Sequence, residues 1–524
     1  MAFKFAVRPP FSLQSFYKRK LPPHIQAGKC LLFRSTQAQA AEGIAAKPFK
    51  EIPGPEGLPI IGTLLDYVRD QGEGVRGYKR MHVMQQQRIQ QFGSIYREKI
   101  VNYETVAISN PDDVQFLFRN EGKHPARQPV LPLWMKYKDE RERPLGLFNL
   151  RGEEWYKVRR ILNMKMLKPK VIGEYAQGFN EVSSDLLSRL KQTRDDEGLI
   201  PNIKDELFKW SLESVGTVLF ETRFGSFSKS PSAEAAKFIE ATEELFPIML
   251  KVFTIPVWID KFYRPKLFKE FYRLMDAMYN FADRSIKKRL DEIREKLEKG
   301  DIGDEDAAEF LTFLISRDDI NFEEIKVNLL EILMASIETT SITILWTLYS
   351  LARNPDVQER LHEEVTSVLK PGERATASTI KKMRFLKGCI KETLRLYPVA
   401  YENFRSLSEE IVIQGYRIPP NTMIRIPQYF MGRNPELFED PLEYKPERWL
   451  RDDTHKSPYH AFAFLPFGFG TRMCIGRRVA KLEMHLLLSQ VSQNFWLESL
   501  NEAIPVVTSV LTPDKELKLR FVDR

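Results

Sequence analysis

The chain has 524 residues, 43% hydrophobic and 29% charged, a globular balance that excludes disordered, collagen-like and coiled-coil classes. Its three cysteines, Cys30, Cys389 and Cys474, are too few for a disulfide scaffold and fit a reducing compartment, so each thiol asks for its own explanation. The net charge of +8 is almost all N-terminal: residues 1–41 carry Lys4, Arg8, Lys18, Arg19, Lys20, Lys29 and Arg34 with no acid, leaving 72 basic against 71 acidic residues beyond. A nearly neutral body gives no electrostatic case for nucleic acid.

The acid-free arm, dotted with Ser, Gln and Ala, reads as a mitochondrial transit peptide over residues 1–36. It has no apolar run near the roughly 20 residues that span a bilayer. Residues 37–62 are a linker whose end, Ile52–Gly62, is stiffened by Pro and Gly. Residues 63–524 read as one large mainly α domain with minor β. Strand-like segments fall at Ser94–Ile108, Ile411–Ile426 and Leu517–Val522. Amphipathic periodicity predicts helices over Glu270–Lys299, Pro355–Leu369 and Thr379–Leu396. Asn321–Arg353 is longer and more apolar, so it runs through the core and stops at Asn354-Pro355. Loops are expected at Gln192–Leu199, Ser226–Ala233 and Lys299–Asp304. Phe246–Phe262, apolar and broken by Pro247 and Pro256, is either packed core or an exposed loop that dips into a membrane.

Phe467–Gly476 reads Phe-Gly-Phe-Gly-Thr-Arg-Met-Cys-Ile-Gly. Its thiol precedes a helical run, Val479–Gln493, and is flanked by Arg472, Arg477 and Arg478, a setting that biases Cys474 toward thiolate. Gly468, Gly470 and Gly476 clear space for a flat cofactor to approach. A single thiolate suits haem iron and cannot build a zinc or iron–sulfur site. For Cys389 the simple alternative, a small buried hydrophobe, stands.

The pattern from Phe467 through Gly470, Arg472, Cys474 and Gly476 resembles the haem-thiolate signature of the cytochrome P-450 family. Other landmarks follow in the family's order over about residues 50–524. The resemblance implies that fold, with haem b between the long core helix and the Cys474 loop. It also implies propionate contacts from Trp155 and Arg159, which share a helix face at i and i+4, and from Arg405 and Arg472. Glu392 and Arg395 match the family's Glu-x-x-Arg helix, and Arg448 lies in a matching Pro-Glu-Arg segment. Together they imply a buried cluster fixing the loop before Cys474.

In Leu333–Ser341, Glu338 and Thr339 fall on the family's acid and alcohol positions. Splitting dioxygen needs protons delivered inside a pocket that otherwise excludes water, and a hydroxyl backed by a carboxylate can relay them. Ser336 stands where the family usually has Gly, and its hydroxyl can bond back to the preceding turn. The acid–alcohol pair favours monooxygenation over a same-fold isomerase or dehydratase that needs no electrons, and over a non-catalytic haem sensor or carrier.

Lys387 and Lys391, at i and i+4 on the helix ending in Glu392–Arg395, resemble the mitochondrial branch, where such lysines dock an acidic ferredoxin supplied by its reductase. Arg477 and Arg478 extend that basic face. The implied substrate is lipophilic, a sterol, steroid or secosteroid. Trp134 and Met135, in a loop before the Trp155 helix, and Val399, Ala400 and Tyr401 are candidate pocket walls. The enzyme would sit peripherally on the matrix side of the inner mitochondrial membrane.

Overall fold

A computed structural model describes residues 46–68, 77–101, 103–125, 131–228, 233–252, 255–298, 309–450 and 459–524. The transit-peptide expectation, the start of the linker and the Lys299–Asp304 loop therefore lie outside the described residues, as do the last residues before Ala233.

Among the described residues, twelve helices of nine residues or more carry the fold. In chain order they are α1 (Met81–Phe92), α2 (Pro111–Arg119), α3 (Pro132–Glu140), α4 (Gly152–Met166), α5 (Ala176–Thr193), α6 (Ile203–Leu219), α7 (Ala233–Val252), α8 (Lys266–Glu298), α9 (Phe322–Ala352), α10 (Pro355–Val368), α11 (Arg384–Leu396) and α12 (Arg477–Asn494). The strands are β1 (Ile95–Ile100), β2 (Tyr103–Ile108), β3 (Asn403–Arg405), β4 (Ile411–Ile413), β5 (Tyr416–Ile418), β6 (Met423–Ile426), β7 (Phe495–Ser499), β8 (Pro505–Val507), β9 (Leu511–Pro513) and β10 (Leu519–Asp523). The largest sheet has the order β1-β2-β6-β3. Its β1–β2 and β3–β6 pairs are antiparallel, and β2 runs parallel to β6.

The core helix α9 begins at a capping box: the Asn321 side chain accepts the Glu324 N–H, and the Glu324 carboxylate accepts the Asn321 N–H. Such a cap contributes about 1 kcal/mol. Beyond the first turn almost every side chain is buried, as expected for a helix apolar all round. It packs on α6, α8 and α11. Alone among the described helices it is long and apolar enough to cross a membrane, yet it is enclosed by the rest of the fold. One large core joins α3 through α12, and a smaller one lies under the four-stranded sheet.

Two expected elements differ. Thr379–Leu396 is split into a 3-10 turn at Thr379–Lys381 and α11, with Met383 non-helical between them. The reason is tertiary: the Glu364 carboxylate of α10 accepts the Phe385 and Leu386 N–H groups and so caps α11 there. Pro247 does not break the chain but lies inside α7, whose Leu245 and Phe246 are buried. Packing against α8 outweighs the roughly 3 kcal/mol a helix-interior proline costs.

Candidate haem-thiolate site

The site is built where the loop that leads into α12 meets α4, with α9 packed against α12. In this loop Gly468 (φ 68°) and Gly470 (φ 76°) take the left-handed conformation that a side chain resists. The turn closes through the Cys474 N–H donating to the Phe467 carbonyl at 2.8 Å. Cys474 thus stands three residues before α12 as an exposed residue whose sulfur is packed against protein. The expected bias toward thiolate is corrected: burial by surrounding protein pushes the thiol pKa up, against the lowering effect of the Gly476 and Arg477 amides and the Arg159 and Arg477 guanidiniums. Desolvation outweighs the helix end. Metal coordination would reverse that balance, since a coordinating thiol is deprotonated outright. Cys389 is fully buried in the main core, and its backbone carbonyl accepts from the Thr393 and Tyr444 hydroxyls, as at a structural position.

Trp155 and Arg159 are buried on α4, and the structure brings Arg472 to them: its guanidinium lies 3.9 Å from the Trp155 ring centroid. Arg472 donates to the Pro125 and Leu150 carbonyls, and Arg159 to Asn163 and to the Met473 carbonyl at 2.7 Å. Arg405, on β3, pairs with Glu121 and donates to the Phe469 carbonyl of the same loop. Phe467 lends its carbonyl to the turn and its ring to the Lys481 ammonium, 5.0 Å away.

Across the interior, α9 runs unbroken through Ser336, whose hydroxyl donates to the Leu333 carbonyl at 2.8 Å. Ala335, Ser336 and Thr339 form a half-open stripe on an otherwise buried helix. The Thr339 hydroxyl donates to the Ala335 carbonyl at 2.7 Å. Glu338 is 3% exposed and its Oε2 has no hydrogen-bond partner. Burial pushes its pKa up to about 8, with Lys204 lowering and Glu243 raising it. Glu338 and Thr339 do not bond to each other, because neighbours on a helix point about 100° apart. An exposed Cys474 in a glycine turn bordered by Arg159 and Arg472, together with a half-open stripe and an orphaned carboxyl oxygen on the otherwise buried α9, fits a flat thiolate-ligated cofactor.

Glu392, Arg395 and Arg448 do meet. Glu392 and Arg395 are fully buried, 2.7 Å apart, and Arg448 Nε lies 2.8 Å from the same carboxylate. The Trp449 indole and the Lys445 N–H also donate to Glu392, while Arg395 spends further donors on the Gly432, Pro441 and Glu443 carbonyls. Every lone pair is used, which such a buried cluster requires. The Trp449 ring packs 4.6 Å from Phe464, three residues before Phe467.

Lys387 is half-buried, and its ammonium pKa is lowered by burial. Lys391 is exposed, and Arg477 and Arg478 are intermediate. The four share one basic face with Lys481, whose pKa burial lowers, with Arg477, Lys391 and Arg478 adding to the shift. Sequence reading missed Lys481, although it lies one turn beyond Arg477.

Trp134 and Met135 lie on helix α3 rather than in a loop. Trp134 stacks on Phe148, 6.1 Å away. Four residues on, Lys138 makes a 2.5 Å ion pair with Glu331 of α9, both 1% exposed, and Glu331 also accepts the Phe148 N–H. No sequence signal flagged this pair. Val399 joins the main core and Ala400 is exposed. Tyr401 packs in a separate cluster with Tyr67 and Met81.

Comparison with known proteins agrees with this geometry. The Cytochrome P450 family matches residues 52–521. The chain is 35% identical over 503 residues to "Cytochrome P450 10" of Lymnaea stagnalis, covering 94% of this chain and 89% of that protein. It is 33% identical to the mitochondrial 1,25-dihydroxyvitamin D(3) 24-hydroxylase of Rattus norvegicus (90% and 89% covered). It is also 33% identical to the mitochondrial cholesterol side-chain cleavage enzyme of Bos taurus (91% of each). The chain belongs to the cytochrome P450 family, the haem b monooxygenases, and to their mitochondrial type.

Proposed function

We propose that this monooxygenase hydroxylates a sterol, steroid or secosteroid-like molecule inside mitochondria with electrons from a ferredoxin, and that Cys474 would hold the haem iron through its thiolate. The observation that carries the reading is the exposed Cys474 at the head of α12, in a glycine turn that Trp155, Arg159 and Arg472 border. Bound through its iron to the Cys474 thiolate, haem b supplies the electron-rich centre at which dioxygen is split.

The chain's own groups do the rest. Trp155, Arg159 and Arg472 form the edge that would hold the haem carboxylates, as Arg–carboxylate pairs do. Glu338, with a pKa near 8, holds a proton on its carboxyl at neutral pH. The Thr339 oxygen, whose own proton points at Ala335, is left to accept one. Since the two side chains diverge, a bridging water passes the proton between them. The side chains of α9 on either side of this pair are buried, which favours a relay through the two groups. Glu338 and Thr339 together favour oxygen insertion over an isomerase that needs no electrons.

The names of the vitamin D and cholesterol relatives support this substrate class. Lys387, Lys391, Arg477 and Arg478 form the docking face for an acidic ferredoxin. Peripheral membrane association rests on Trp258 and Phe262, 57% and 85% exposed in the segment expected to be core or membrane-dipping, and on Tyr263 just beyond it, 67% exposed. Residues 1–36 are read as the presequence and 63–524 as the catalytic domain.

The test is Cys474→Ser. A thiolate-bound ferrous haem gives a red-shifted carbon monoxide band, and the variant should lose both that band and ferredoxin-driven turnover. A variant that keeps them refutes the ligand assignment, and turnover without ferredoxin refutes the electron route.

A further inference from the structure

The loop entering Cys474 is gripped from one side by β3. The Asn403 amide donates to the Leu465 carbonyl at 3.2 Å, and Arg405 donates through a terminal nitrogen to the Phe469 carbonyl at 2.8 Å. Arg405 also donates to its neighbour's carbonyl at Phe404 and lies 4.6 Å from the Phe118 ring centroid, and Phe118 in turn packs on Phe469. The remaining face of the guanidinium meets a carboxylate that no motif singled out. Glu121, just after α2, accepts from Arg405 Nε at 2.6 Å, and the two side chains are 4% and 6% exposed. The Thr471 amide also donates to Glu121. A Cβ on Gly470 would lie 1.8 Å from Glu121 Oε1. The glycine of the Cys474 signature is therefore required twice, by its positive φ and by the carboxylate that fills the place of a side chain.

We propose that Glu121 is the positioning residue of the thiolate loop: one buried carboxylate binds Arg405 and the Thr471 amide together, and so fixes the approach to Cys474 against β3. Arg405, read from sequence as a haem-carboxylate contact, is on this account first a partner of Glu121. The inference rests on Cys474 as the iron ligand. A carboxylate anchors two donors that a neutral side chain would hold weakly, because charge-assisted hydrogen bonds are about twice as strong. Without it, Arg405 keeps a buried unpaired charge, and its grip on the Phe469 carbonyl is no longer held in place by a counter-charge.

The experiment compares haem-loaded parent, Cys474→Ser, Glu121→Gln, Glu121→Ala and Glu98→Gln. Glu98 is a matched control: a fully buried carboxylate on β1 that pairs with Arg88 and Arg425 and touches nothing in the Cys474 loop. Haem content and helical circular dichroism monitor folding. The readout is the ratio of the red-shifted carbon monoxide band to its blue-shifted, thiolate-lost form in dilute urea. In Glu121→Ala the ratio should fall by ~10-fold, the loss when a charged hydrogen bond's partner is removed. Glu121→Gln should fall between Ala and parent, and Glu98→Gln should match the parent at equal haem content. If Glu121→Ala does not take up haem, the comparison of Glu121→Gln with Glu98→Gln decides. Equal ratios in those two variants overturn the proposal while leaving Cys474 as ligand. A parent without the red-shifted band, or a Cys474→Ser variant that retains it, overturns the ligand reading and this one with it.

Discussion

Glu338 gives the chain a pH-dependent stability that one substitution should erase. Its carboxyl is 3% exposed, one oxygen has no partner, and burial raises its pKa to about 8 from 4.5. The folded chain therefore keeps a proton that the unfolded chain releases above its ordinary pKa. Stability is complete below about pH 4.5 and falls as pH rises toward 8, by about 1.4 kcal/mol per pH unit. Between about pH 6 and pH 7.5 the loss from this group is ~2 kcal/mol. Glu338→Gln has the same shape and no ionisation, so it should lack this slope. The assay is urea unfolding of haem-loaded parent and variant across that window, followed by circular dichroism. Only the difference is read, so other groups cancel, including His82 and His485, whose pKa values burial lowers to about 3. Removing the charge of Glu243 should flatten the parent's slope slightly, because that carboxylate raises Glu338. Parallel curves for parent and Glu338→Gln would show that Glu338 is solvated and would refute the reasoning.

Thr339→Ala should cut product formation by about 10²–10⁴-fold, with substrate binding retained and reduced oxygen leaving as hydrogen peroxide; unchanged coupling of electrons to product contradicts the relay. Changing Lys387 and Lys391 together to Gln should weaken apparent ferredoxin affinity at low salt and leave the haem spectrum intact, since rim charges act mostly on association rate. Turnover against ferredoxin concentration at two ionic strengths measures this, and a double variant equal to the parent contradicts it. Glu392→Gln should destabilise the fold by about 3–5 kcal/mol, because Arg395 and Arg448 lose a buried counter-charge; an unfolding midpoint matching the parent's would mean the cluster is solvated.

What the sequence made legible was local or periodic. Asn321 and Glu324 announce the start of α9 in four residues, and Asn354-Pro355 announces its end. The spacing of Phe467, Gly470, Arg472 and Cys474 identifies the ligand loop because its chemistry is compressed into ten residues. What escaped was made by distant partners. The start of α11 is set by Glu364, some twenty positions earlier. Pro247 reads as a break because the packing of α7 on α8 is invisible in one dimension. Strands β3, β8 and β9 are three residues long, too short for an alternating pattern. Arg405 was legible as a functional arginine, but Glu121, its partner 284 positions away, was not. For Cys474 the flanking charges are visible in sequence, whereas the protein atoms that desolvate its sulfur and raise its pKa are not.

The Lys138–Glu331 pair constrains how this chain can change over generations. Its members are 193 positions apart and both lie in the dry interior between α3 and α9. Replacing either alone strands a buried charge at a cost of about 3–5 kcal/mol, whereas an apolar pair of similar volume is often neutral or better. Both neutral endpoints are open, but every single step between them crosses a fitness valley. The two positions should drift as a unit or stay fixed. A chimera spliced between them from two homologous genes should fold only when both parents carry the same kind of pair, and a deep mutational scan should find each site intolerant alone and permissive in combination.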